Sequence, residues 1–229
     1  IETSQVNAIG VLNLLEIIRN NKRKIKLYQA STSEMFGKHG KKNQNEKTIF
    51  HPRSPYATSK TFAHYSVQNY RESYNLHAVN GILFNHESPL RGEEFITRKI
   101  TLGLAKIYLG RQKILKVGNI YSKRDWGYAK DYVEAMWKIL QKKSPTDYVI
   151  STGKQYTVQQ FVNLVLKELK IKFKWKGKGI NCKCYDQNNN AIIECDREYF
   201  RPLEVDTLLG DSRKALKQLK WKPKLSIND

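Results

Sequence analysis

Four short apolar runs, each followed by a stretch with apolar residues at helical spacing, narrow the folds open to this chain. The runs are IKLYQAS (25–31), HAVNGILF (77–84), ILKVG (114–118) and DYVIST (147–152), each the length of a buried strand. Val6, Ile9, Leu12, Leu15 and Ile18 recur near helical spacing and predict a helix over 4–20. Further helices are predicted over 55–74, 94–109 and 128–141. The first of these opens at Pro55, where a missing N–H costs nothing. Thr157-Val-Gln-Gln160 has the form of a capping box and opens a helix to about 169. Strand and helix in alternation predict an α/β fold, a doubly wound parallel sheet with helices on both faces. From 171 the rhythm breaks. KFKWKG (172–177) and AIIEC (191–195) are expected to pair as a hairpin around an Asn-rich loop, and Asp211 to cap a last helix ending at Leu219.

Composition removes several function classes. At 229 residues and 40% hydrophobic, the chain can bury a substantial core. No apolar run approaches the ~20 residues of a membrane span, and the first residues lack a signal-peptide pattern, so no membrane partner and a cytoplasmic location are expected. Cys182, Cys184 and Cys195 make an odd count with no neighbouring histidine or fourth cysteine. The expectation is reduced surface thiols, with neither a disulfide framework nor a metal. The formal charge of +20 invites a nucleic-acid reading. Its lysines are scattered, however, and the densest run, 172–183, reads as a solvated hairpin, so no nucleic-acid partner is expected.

In open α/β sheets ligands sit beyond the carboxyl ends of the strands. There the sequence places Thr32-Ser33-Glu34 and Asn85-His86-Glu87. Taken alone, these read as a helix cap and a polar loop. RSPYATSK (53–60) puts Tyr56 and Lys60 four apart on one helical face. A phenol with a pKa near 10 is a poor base at neutral pH; a neighbouring ammonium and a cationic cofactor ring both favour the phenolate. Such a tyrosine can take a hydroxyl proton while a hydride leaves the same carbon for a nicotinamide.

ASTSEMFG, PRSPYATSK, NGILFNHESP, RGEEFITRKI, RDWGYAKDYVEAMW and YFRPLEVDTLLGD, in this order from about residue 4 to 224, resemble the GDP-mannose 4,6-dehydratases of the extended short-chain dehydrogenase/reductase family. The resemblance implies a Rossmann-like sheet, NADP as cofactor, GDP-mannose as substrate and a homo-oligomer at full length. It implies catalytic roles for Thr32, Glu34, Tyr56 and Lys60, and cofactor contacts for Lys60, His86 and Arg91. Substrate contacts would fall to Asn85, Lys99, Arg124, Arg201 and Glu204. Tyr56 would deprotonate the C4 hydroxyl as the hydride leaves C4, Glu34 would remove the C5 proton as water leaves C6, and Thr32 would stabilise charge at O4. Residues 1–155 would carry the NADP-binding Rossmann part interleaved with substrate segments, and 156–229 mainly the nucleotide-sugar region. Related epimerases, dTDP-sugar dehydratases and an inactive nucleotide-sugar-binding remnant are the alternatives. The family's G-x-x-G-x-x-G turn has no counterpart, Gly177 and Gly179 being the nearest glycine pair. The expectation is a truncated chain, lacking the first strands, that alone does not bind NADP tightly.

Overall fold

The computed structural model describes residues 1–38, 43–200, 205 and 207–229. Helix α1 (Glu2–Ser4) continues through a π-helical stretch, Gln5–Ile9, into α2 (Gly10–Arg19). Strand β1 (Leu27–Thr32), helix α3 (Pro55–Tyr74), strand β2 (Ala78–Leu83) and the short β3 (Asn85–Glu87) follow. Then come α4 (Ile96–Tyr108), β4 (Leu115–Val117), β5 (Lys123–Arg124), β6 (Trp126–Tyr128) and α5 (Ala129–Leu140). The remaining elements are β7 (Tyr148–Ile150), β8 (Tyr156–Thr157), α6 (Val158–Glu168), β9 (Phe173–Lys176), β10 (Lys183–Asp186), β11 (Ala191–Cys195) and α7 (Arg213–Leu219).

The first sheet has the order β1-β2-β7, all parallel, with Leu27 opposite Ala78 and Gly81 opposite Tyr148. Every residue of β2 is buried, which places this strand between two helical layers. On one face Ala78 joins Val11, Leu15, Ala63 and Val67 from α2 and α3; on the other, Val79 and Leu83 join Tyr132, Ala135 and Ile139 of α5 and Ala215 and Leu219 of α7. Odd and even residues of one strand thus feed opposite cores, the geometry expected of a doubly wound sheet. Among the described residues β1 has a strand partner on one side only.

A buried polar network ties the layers together. Asp147 at the entrance to β7 accepts from Arg71 Nη1 at 2.7 Å and Nη2 at 3.1 Å, from Gln68 Nε2 at 2.8 Å and from the Asn80 amide at 2.8 Å. His64 lies 3.9 Å from the same carboxylate, and its Nδ1 lies 3.1 Å from Ser31 Oγ. Ser31, His64 and Asp147 have the order of a hydrolytic triad, but all three are buried and Asp147 is saturated by α3 and β2. The arrangement fastens α3 to the sheet.

The second sheet corrects two expectations. ILKVG does not join the parallel sheet: β4 pairs in parallel with β11 in a sheet of order β4-β11-β10-β9, beneath α4 and α6. KFKWKG and AIIEC are not partners either, because KCYD (β10) lies between them, antiparallel to both. Asp186 Oδ1 accepts from the amides of Asn188 and Asn190 at 2.9 and 2.8 Å, folding the Asn-rich segment into a tight turn from β10 to β11. Gly177 and Gly179, at φ +82° and +56°, make the other turn, where L side chains are disfavoured. The thiols are a third correction: Cys182 and Cys184 are buried in the core under α4 and α6, with Cys195 half-buried beside them, rather than exposed. Their positions alternate along the strand toward the helix-covered face.

The capping box at Thr157 forms as read, with both hydrogen bonds, at 2.7 and 3.0 Å. The last helix begins at Arg213 with Ser212 rather than Asp211 at its N-cap and no side-chain capping bond; Asp211, one residue further out, accepts from the Arg213 amide at 3.1 Å.

Candidate active site

Strand β1 delivers Thr32 in extended conformation directly into a 3₁₀ turn, Ser33–Phe36, with the Thr32 hydroxyl accepting from the Glu34 amide at 3.3 Å. Helix α3 starts from Ser54, whose Oγ accepts from the Ala57 amide at 3.1 Å, with Pro55 in the first turn. Both starts are locally encoded, by a hydroxyl cap before a turn and by a Ser-Pro cap before a helix. Tyr56 therefore leaves the first turn of α3, and its phenol lies close enough to the Thr32 hydroxyl for that hydroxyl to pull its pKa down. Glu34 and Arg91 lie close enough to act on the same phenol by their charges. Lys60, one turn on, donates to the Ala30 carbonyl at 3.1 Å and lies 5.8 Å from the Tyr56 ring centroid.

The electrostatics differ from the sequence expectation. Burial pushes the Tyr56 phenol above its ordinary value, opposed by the Thr32 hydroxyl and the Arg91 guanidinium and assisted by Glu34. Lys60 is not among the groups that pull the phenol down. Its ammonium sits over the ring with a hydrogen bond to a backbone carbonyl, and burial lowers its own pKa. The cation that favours the phenolate here is Arg91.

Arg91 is held by two neighbours. Its Nε lies 3.3 Å from Glu87 Oε2, at an angle too poor for a hydrogen bond, and its guanidinium lies 3.6 Å from the Phe95 ring centroid. Glu87 also accepts from Thr97 Oγ1 at 2.5 Å, and burial pushes its carboxyl up. Sequence reading gave Glu87 no role; its signal was its place next to His86. The segment read as a loop, 85–87, is the short strand β3, paired in parallel with β6. His86 lies with Nδ1 at 3.0 Å from the Phe84 carbonyl, and its ring stacks on Tyr132 at 5.1 Å and 26°. With a carbonyl as acceptor, Nδ1 carries the hydrogen and Nε2 is the accepting nitrogen. Asn85 Oδ1 is buried with no hydrogen-bond partner.

The remaining residues lie elsewhere. Lys99 on α4 has its ammonium 3.3 Å from the Tyr199 ring centroid; burial lowers its pKa against the pull of Glu198 and Asp196. Arg124 on β5 donates from Nη1 to the carbonyls of Lys123 at 2.9 Å and Val205 at 2.7 Å. Arg201 and Glu204 lie outside the described residues. The structure thus brings Thr32, Glu34, Tyr56, Lys60 and Arg91 into one cluster with Asn85 and His86 at the end of β2, while Lys99 contacts Tyr199 and Arg124 contacts Val205.

Asp125 was also missed. Fully buried, it accepts from the Thr152 amide at 2.8 Å, Thr152 Oγ1 at 2.6 Å, the Gly153 amide at 2.9 Å and the Gly210 amide at 3.4 Å. Burial pushes its carboxyl up against these donors. It joins β5 and β6 to the loop after β7 and to Gly210. No periodicity marks such a residue, since its partners are backbone amides distant in sequence.

A family model described as GDP-mannose 4,6 dehydratase matches residues 1–229. The chain is 49% identical over 228 residues to the GDP-mannose 4,6 dehydratase of Drosophila melanogaster, covering 98% of this chain and 58% of that protein. It is 49% identical over 230 residues to the Dictyostelium discoideum GDP-mannose 4,6 dehydratase, covering 99% and 65%. The chain spans less than two thirds of the length of either relative. Among solved structures it resembles a dTDP-glucose 4,6-dehydratase from Bacillus anthracis in complex with NAD, with a TM-score of 0.81 and 24% identity, covering 98% of this chain and 65% of that one. It also resembles RMD from Pseudomonas aeruginosa complexed with NADPH, with a TM-score of 0.82 and 21% identity over 98% and 70%. These likenesses establish the fold.

Proposed function

Because the chain belongs to the GDP-mannose 4,6-dehydratase family, we propose that it carries the dehydrating half of such an enzyme, a hydro-lyase converting GDP-mannose to GDP-4-keto-6-deoxymannose with NADP, toward GDP-deoxyhexoses such as GDP-fucose. The observation that carries this reading is the meeting of Thr32, Glu34, Tyr56 and Lys60 where β1 ends and α3 begins.

The donor set suits a nicotinamide nucleotide at the reacting end. Lys60 has an ammonium beside the Tyr56 ring for a ribose hydroxyl, Arg91 supplies a cation, and the buried Asn85 Oδ1 offers an acceptor. A bound nicotinamide would supply the hydride acceptor for C4 and the hydride source for C6. Tyr56 takes the C4 hydroxyl proton; Arg91 and Thr32 stabilise the phenolate that must form first. Thr32 then donates to O4 of the ketone, and Glu34 removes the acidified C5 proton as water leaves C6. NADP rather than NAD rests on the family resemblance of His86 and Arg91.

Lys99 and Arg124 would hold the GDP portion, together with Arg201 and Glu204; two described cations on the second sheet's side suit a diphosphate. In this reading 1–155 is mainly the cofactor part and 156–229 mainly the nucleotide-sugar part. A homo-oligomer is supported by the outer face of α2 and α3, where Leu12, Phe62 and Tyr65 line a cavity of ≈ 520 Å³ and Val6, Leu14 and Ile17 are exposed. No described helix is long and apolar enough to cross a membrane; the location proposed is cytoplasmic.

The test is Glu34→Gln in the complete gene product carrying this sequence. The variant should oxidise C4, accumulating reduced cofactor absorbance with GDP-mannose, while dehydration falls by roughly 10²–10⁴. Dehydration at the unaltered rate refutes the role of Glu34.

A further inference from the structure

The antiparallel register of β10 and β11 pairs Lys183 with Glu194 and Cys184 with Ile193. One step further, Cys182 stands opposite Cys195, and the Cys195 amide donates to the Cys182 carbonyl at 3.4 Å. Residues opposite each other across such a hydrogen bond have Cα atoms about 5.5 Å apart and project to the same face. That separation lies inside the range of about 4.4–6.8 Å spanned by disulfides. Three further observations support the pairing. The Tyr121 phenol lies within electrostatic reach of both Cys182 and Cys195. Each of Cys184 and Cys195 feels the charge of Cys182, but only Cys195 faces it across the ladder. Cys195 is half-buried and so reachable, whereas Cys182 and Cys184 are buried.

We propose that Cys182 and Cys195 are a modification site for hydroperoxides, closing to a reversible intrachain disulfide. The Cys195 sulfur attacks the peroxide; its O–O bond breaks, the sulfur becomes a sulfenic acid, and water or an alcohol leaves. The Cys182 sulfur then attacks Cys195 Sγ, the S–S bond forms, and the hydroxyl leaves as water with the Cys182 proton. Two thiols lose two electrons and two protons, and the peroxide is reduced by the same two electrons. Burial pushes the Cys195 thiol up to about 11, which keeps the thiolate scarce and the pair reduced until oxidant is in excess. The bond would tie the end of β11 to the turn before β10. Asp196, the next residue, holds Lys116 at 3.1 Å, and Tyr199 three residues on carries Lys99 on its ring.

The folded chain is treated with excess hydrogen peroxide, denatured, alkylated with N-ethylmaleimide and weighed intact. The three alkylation equivalents of the free cysteines should fall to one and return to three after dithiothreitol. An unreduced tryptic map should join the 179–183 peptide to the 184–197 peptide. Cys184→Ser should retain the cross-link; Cys195→Ser, at a half-buried position, should abolish it. Sulfinic acid at Cys195 without a cross-link, a cross-link between two chains, or a cross-link that survives in Cys195→Ser each overturns the proposal.

Discussion

Asp147→Asn should be among the most destabilising isosteric changes in the chain. The wild-type carboxylate accepts five hydrogen bonds, two of them from Arg71 at 2.7 and 3.1 Å, the others from Gln68 Nε2 and from the amide and side chain of Asn80. Its side chain is 8% exposed and that of Arg71 14%. Replacing one carboxylate oxygen by an NH2 group removes the counter-charge and one of the two oxygens that accept from Arg71, leaving the guanidinium in the interior with only neutral acceptors, the new amide oxygen and the Ala78 carbonyl at 3.0 Å. Breaking a buried pair from one side costs about 3–5 kcal/mol, because the partner is left uncompensated. Against a total stability of roughly 5–15 kcal/mol, that is a third or more of the margin. Urea titrations of the wild type, Asp147→Asn, Arg71→Met and the double variant form a thermodynamic cycle. The single changes should each lower the midpoint strongly, and the double should be less destabilised than their sum by about 2 kcal/mol, within the coupling range of residues in contact. Additive losses, or a loss below about 1 kcal/mol for Asp147→Asn, would show that the network is not what fastens α3 to β7.

Acid should unfold the protein through the same network. Burial lowers the His64 pKa from 6.5 to about 4, so between these values the unfolded chain binds more protons and stability rises with pH; the displacement is worth about 3 kcal/mol, present above pH 6.5 and lost by pH 4. Burial pushes Asp147 up, but Arg71 and Gln68 outweigh it and hold its carboxyl below the ordinary value, so its contribution fades further down as pH falls through the folded pKa. His64→Gln should flatten the pH dependence of the thermal midpoint between pH 4 and 6.5; an unchanged slope refutes the assignment. For the reaction, Tyr56→Phe should lose roughly 10²–10⁴ in kcat. Arg91→Met removes the cation that lowers the phenol, so its kcat profile should move to higher pH, a shift that loss of binding alone would not give. Gly118→Ala would place a Cβ 2.3 Å from the Tyr199 backbone oxygen, costing about 1–3 kcal/mol in a denaturant titration and displacing the ring beneath Lys99.

The sequence by itself determined the alternating α/β architecture, the 55–74 helix and the Thr157 capping box, because these rest on periodicity and on hydroxyl and proline caps that act within a few residues. It also placed Thr32 and Glu34 at a strand end and Tyr56 with Lys60 on one helical face, since these are local patterns; the catalytic roles proposed for them rest on the family resemblance. Tertiary structure decided the rest. KCYD was invisible as a strand because its partners on either side are fixed by two tight turns and by the helices covering its Cys184 face. The assignment of β4 to the second sheet depends on a pairing with β11 some eighty residues later in the chain, which no local run encodes. The same holds for charge. An i,i+4 spacing predicts that Lys60 tunes Tyr56, yet the ammonium is drawn to the Ala30 carbonyl, and the effective cation, Arg91, arrives from the segment after β3. Local spacing sets which side chains share a face; which charges reach an oxygen depends on burial and on hydrogen bonds made by elements that meet only in the folded chain.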